Sequence, residues 1–88
     1  MTPTNSTIFQ SALDSIPEEV NIQVNLSFDI ADKIAEILSR QNMTQRDFAK
    51  KIKRSEAEVS RWLSGTHNFT LSTIAKISAV LGEKIVRV

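Results

Sequence analysis

The stretch Thr44-Gln45-Arg46-Asp47-Phe48-Ala49-Lys50-Lys51-Ile52-Lys53-Arg54-Ser55-Glu56-Ala57-Glu58-Val59-Ser60-Arg61-Trp62-Leu63-Ser64-Gly65 carries two short helical signals with almost no chain between them. The first begins at Thr44, whose hydroxyl suits an N-cap, and brings Phe48, Ala49 and Ile52 onto one face. The second begins at Ser55, again a good N-cap, with Glu56 and Glu58 in the turn where the helix dipole favours acids. It brings Val59, Trp62 and Leu63 together, and Gly65 suits the left-handed residue that follows a helix. Only Lys53 and Arg54 are left as connector.

Two helices crossing steeply through so short a turn need a small residue at the crossing, and Ala49 supplies it. They also need apolar residues that lock the second helix onto the first, which Val59 and Trp62 provide. The spacing is that of a helix-turn-helix, although an ordinary αα-hairpin in a small bundle shares it. The outward face of the second helix then carries Glu56, Ala57, Ser60 and Arg61, side chains suited to base edges in a major groove.

Thr44-Gln45, Ala49, Val59, Trp62 and Ser64-Gly65, followed by Leu71, Ile74, Ala75, Ile77 and Leu81-Gly82, resemble the Xre/Cro family of DNA-binding repressors. That family includes phage repressors and HigA-type antitoxins, and the resemblance spans roughly residues 31–83. It implies an all-α, lambda-repressor-like helix-turn-helix bundle of four to five helices. One position departs from the pattern. Where the family usually has Gly in the turn, this chain has Lys53, which costs on the order of 1 kcal/mol relative to Gly if it adopts positive φ.

The 88 residues allow one domain, and 41% hydrophobic residues suffice for a compact core, while two glycines and few aromatics favour helices. Without cysteine there is neither a disulfide framework nor a thiolate metal site. No apolar run reaches membrane length and the first residues lack a signal-peptide layout, so a soluble cytoplasmic protein is expected. The net charge of +1 hides a segregation. Residues 1–32 hold Asp14, Glu18, Glu19, Asp29 and Asp32 with no Lys or Arg, a charge of −5. Residues 44–69 hold six bases against three acids, a charge of +3. Such a chain is suited to meet phosphate with one end and something else with the other.

Residues 1–7 are polar. Ile8, Phe9, Ala12, Leu13 and Ile16 have the spacing of a short amphipathic helix, too short to stand alone, and Pro17 interrupts it. Residues 20–27 admit two readings. Val20, Ile22, Val24 and Leu26 alternate with polar residues as in a half-buried strand. Val20, Val24, Phe28, Ala31, Ala35 and Leu38 also form a helical stripe, with Ile30, Ile34 and Ile37 beside it, and the balance leans to one helix over about 18–41. Asn42 can close it in the left-handed conformation. A polar loop, Thr66 to Thr70, holds Phe69 as a core plug. Thr70 or Ser72 caps a helix from Leu71 to Leu81 expected to bury Leu71, Ile74, Ile77, Ser78 and Leu81, and Gly82 ends it. Ile85 and Val86-Arg87-Val88 read as a short C-terminal strand open to pairing with a second subunit. The expected organisation is an N-terminal extension over residues 1–27 and the helix-turn-helix domain over residues 28–88.

Catalysis is not expected. His67 is the single histidine, the two glycines lie seventeen positions apart, and Asp29, Asp32 and Glu36 read as a solvated face. No cofactor or metal is called for. The expected partner is double-stranded DNA, bound as a homodimer on a palindromic operator. Phosphate contacts fall to Gln45, Lys50, Lys53, Arg54, Ser64, Thr66, His67 and Asn68, with Ser55 at the mouth of the second helix. Base contacts fall to Glu56, Ala57, Ser60 and Arg61: Glu56 to a cytosine amino group, Ala57 to a thymine methyl, Arg61 to guanine. Two functions share this reading: a repressor acting alone, and an antitoxin whose acidic N-terminal segment also grips a basic toxin.

Overall fold

The computed structural model describes residues 16–87. It contains four helices: α1 (Glu18–Arg40), α2 (Gln45–Ile52), α3 (Glu56–Leu63) and α4 (Leu71–Leu81). The amphipathic segment expected over Ile8 to Ile16 lies outside the described residues except for Ile16.

The helix reading of residues 20–27 is correct. Alternation alone does not make a strand, and no second strand exists among the described residues to pair with one. Pro17 sits ahead of the first turn of α1, and Glu18 and Glu19 follow it, where the positive end of the dipole favours acids. The helix runs unbroken through residues 27 and 28. Its buried face is Ser27, Ile30, Ala31, Ile34, Ile37 and Leu38. Of the stripe through Val20, Val24, Phe28, Ala31, Ala35 and Leu38, only Ala31 and Leu38 are buried. The neighbouring isoleucine ridge carries most of the core, and no residue of α1 before Ser27 is buried.

Ile30, Ile34, Ile37 and Leu38 of α1 meet Phe48, Ala49 and Ile52 of α2, Val59 and Trp62 of α3, and Ile77 and Leu81 of α4 in one cluster. Phe48 and Trp62 pack edge to face, with centroids 6.2 Å apart and planes at 62°. Phe69 is half-buried and packs on the cluster from the loop, as its position implied.

Three helix ends use the same device. Asn42, Lys53 and Gly82 take positive φ of 54°, 60° and 72°. The following N–H then turns back to a carbonyl five residues earlier: Met43 to Leu38 at 2.9 Å, Arg54 to Ala49 at 3.0 Å, and Glu83 to Ser78 at 3.2 Å. Each is a Schellman closure that satisfies a terminal carbonyl.

Two expectations fail at the C-terminal side. Leu71 is not in the core; it is 83% exposed, because Thr70 caps α4 and leaves Leu71 on the outer side of the first turn. Nor do Glu83 to Arg87 form a strand, and the tail-to-tail pairing proposed for it goes with it. Ile85 turns inward instead and is 8% exposed within the core. Ser78 holds the turn, accepting from the Ile85 N–H at 3.4 Å. Arg40 Nη1 donates to both carboxylate oxygens of Glu83 at 3.0 Å, and Gln41 Nε2 donates to the Leu81 carbonyl at 3.0 Å. The tail is therefore fastened to the end of α1, and its backbone has no straight edge to offer.

Candidate nucleic-acid interface

The turn between α2 and α3 is built by local rules. Thr44 Oγ1 accepts from the Asp47 N–H at 3.0 Å, and Asp47 Oδ2 accepts from the Thr44 N–H at 3.1 Å, a reciprocal capping box that fixes where α2 starts. The Thr44 backbone N–H, then the Thr44 hydroxyl, with smaller help from Lys50 and Arg46, hold the Asp47 carboxyl below the usual carboxylate range. At the other end, Lys53 in the left-handed conformation reverses the chain in a single residue. Ser55 then starts α3, its Oγ accepting from the Glu58 N–H at 3.1 Å. Ala49, 3% exposed, is buried in the cluster that α2 shares with α3.

This clamps α3 by Val59 and Trp62, which are 0% and 4% exposed, and turns the opposite side outward. Glu56, Ala57, Ser60 and Arg61 are all exposed on that side. The four residues named as base-reading candidates thus share one free face of a well-anchored helix. Gln45, Lys50, Lys53, Arg54 and Ser55 are exposed around the turn, and Ser64, Thr66 and Asn68 are exposed past the far end of α3.

Several of these side chains already have work within the fold. Arg54 Nη1 lies 3.6 Å from Glu58 Oε2, which ties that guanidinium to the first turn of α3. The Ser55 hydroxyl is occupied by its cap, leaving backbone N–H groups as what that corner can give to an anion. Ser64 Oγ donates to the Arg61 carbonyl at 2.6 Å and lies 3.1 Å from Thr66 Oγ1. His67 is half-buried, its ring edge-on to Phe69 at 4.8 Å and 86°, so packing holds it beside the loop. Lys50, Lys53 and Arg61 make no ion pair among the described residues.

One supporting residue was not legible as such. Gly65, at φ +87°, ends α3 directly beneath the ring of Phe28, so closely that a Cβ there would overlap the ring. α1 therefore supports the far end of α3, and the requirement for glycine is steric as well as conformational. Nothing in the spacing of Phe28 along α1 points at a residue 37 positions away.

A helix-turn-helix family model matches residues 34–88, more than half of the chain. The chain belongs to the Cro/C1-type helix-turn-helix family of DNA-binding transcription regulators. Comparison with curated proteins and with solved structures returns no match. The family match begins within α1, and residues 18–33 of that helix lie outside it. No described helix is long and apolar enough to cross a membrane.

Proposed function

We propose that this protein is a transcriptional repressor that inserts α3 into the major groove of a palindromic operator as a homodimer. The observation that carries the reading is the outward face of α3, where Glu56, Ala57, Ser60 and Arg61 stand free while Val59 and Trp62 anchor the helix from behind. Lys50 and Lys53 are exposed on α2 and the turn, and Arg61 on the face itself, cations of the kind a phosphate backbone attracts. Arg61 donates to a guanine edge, Ala57 meets a thymine methyl, and Glu56 accepts from a cytosine amino group. Gln45, Lys53, Ser64, Thr66 and Asn68 hold the flanking phosphates, with Arg54 and His67 in supporting positions.

A single helix-turn-helix buries too little surface for tight binding, so two copies on a two-fold site are required. The test is titration of the protein against its upstream DNA at several salt concentrations. Binding that steepens as salt falls and survives an excess of unrelated duplex supports the reading; binding with neither property overturns it.

A second reading, an antitoxin that also neutralises a basic toxin, rests on the acidic first third of the chain, which has no Lys or Arg from Met1 to Asp32. Co-expression with the product of an adjacent small basic reading frame separates the two. Rescue of growth supports the antitoxin, and its absence leaves the repressor acting alone.

A further inference from the structure

The N-terminal half of α1 presents large apolar residues that nothing among the described residues covers. Ile22 is 51% exposed and Leu26 50%, and beside them on α4 Leu71 is 83% exposed. These residues border a groove between α1, the start of α4 and the C-terminal tail. One part of it is an apolar recess of about 250 Å³ against Leu26, Ile30, Phe69, Leu71, Ile74 and Val86. It adjoins, at Ile74 and Val86, a wider depression bordered by the cations Lys33, Lys84 and Arg87. Glu83, the acid of that depression, is held by Arg40 at 3.0 Å, and Lys33 lies 3.7 Å from Glu36 on its own helix.

We propose that the groove is occupied by a second copy of this chain, with the N-terminal halves of the two α1 helices lying antiparallel across one another about a two-fold axis at Leu26. Helical periodicity places Glu19, Ile22, Leu26, Ile30 and Lys33 on one face, at spacings of three, four, four and three residues. With Leu26 against its own copy, the same register brings Ile22 over the recess of the other subunit, whose floor includes the 8% exposed Ile30, and Glu19 against its Lys33. The face is therefore complementary to itself in both apolar pattern and charge, as a two-fold interface demands.

Charge selects this occupant. From Ile16 to Asp32 the helix carries Glu18, Glu19, Asp29 and Asp32 and no base, while the wider part of the groove is cationic. A parallel arrangement would instead set Glu19 against Glu19 and Lys33 against Lys33. Residues 18–33, which form this contact, lie outside the family match. The proposal deepens the homodimer of the preceding section and rests on it.

Sedimentation equilibrium of the full chain without DNA tests it. The parent is expected to be a dimer. Leu26→Glu sets two carboxylates against each other at the axis and weakens association about 100-fold or more. Its circular dichroism stays that of the parent, since Leu26 is half exposed in the single chain. Glu19→Lys and Lys33→Glu each weaken association by about 2-fold to 30-fold, because each pair occurs twice by symmetry, and the double exchange restores it. The exchange series decides the matter even if Leu26→Glu fails to fold.

A parent chain that stays monomeric overturns the proposal, whether its own N-terminal residues or an unrelated protein then covers the groove. So does a dimer that Leu26→Glu leaves intact, or a double exchange that restores nothing. DNA binding is scored separately: its loss in a dimeric parent strikes the repressor reading and leaves the interface standing.

Discussion

The ring of Phe28 lies over the α-carbon of Gly65, joining the middle of α1 to the end of α3. This contact fixes the tilt of α3 from behind, at the end away from the α2–α3 turn. A side chain at position 65 would meet two obstacles, the positive φ of +87° and the aromatic ring.

Gly65→Ala is therefore expected to destabilise the fold by about 2–4 kcal/mol, combining left-handed strain with overpacking. In the Phe28→Ala background the overlap disappears and the strain remains. Urea unfolding of the four proteins in the cycle is expected to show coupling of about 1 kcal/mol or more between the positions.

Lys53 separates stability from binding. It takes φ 60°, where a Cβ is strained, so Lys53→Gly is expected to stabilise the fold by up to about 1 kcal/mol, less the added freedom of the unfolded chain. On the proposed function the same change removes a phosphate contact. Binding weakens alike on all sequences, and the slope of log affinity against log salt falls by about 1. Thermal unfolding and a salt titration on one sample check both halves.

Asp47 makes stability depend on pH in a defined sense. Its folded pKa lies below the ordinary value, so the folded protein binds fewer protons than the unfolded chain. The contribution is whole above the unfolded carboxylate pKa of about 4 and is lost as pH falls through the folded value. In Asp47→Asn the amide oxygen still accepts from the Thr44 N–H, but nothing titrates. The gap in melting temperature between parent and variant is expected to narrow on acidification below about pH 4.

Arg61 has no ion pair among the described residues and stands on the free face of α3. Arg61→Ala is expected to cost about 1–3 kcal/mol of binding and to relax preference at one base pair, with the melting temperature unchanged. Titration against the operator and single-position variants of it reads this directly.

The parts of the fold set by neighbouring residues were legible before any coordinates. Thr44, Ser55 and Thr70 cap helices, and Asn42 and Gly82 close them, because each acts on backbone groups within a few positions. Lys53 takes the left-handed conformation although the residue type disfavours it, since the turn has no other residue to reverse on. The misreadings share a cause, which is that apolar ridges say nothing about what stands opposite them. α1 is apolar along two adjoining ridges, and spacing alone does not say that the isoleucines enter the core while Val20, Val24 and Phe28 stay exposed. Leu71 and the C-terminal tail went wrong in the same way: Leu71 faces outward, and Ile85 enters the core through the turn at Ser78 instead of extending.

The claim on which the rest depends is that Glu56 to Arg61 read base edges, and selection of bound duplexes from a random pool tests it most directly. The account predicts a two-fold symmetric motif whose half-sites reappear with Arg61→Ala, except for lost preference at one position in each. Enrichment of no motif, or of the same motif in unchanged strength with Arg61→Ala, would contradict it.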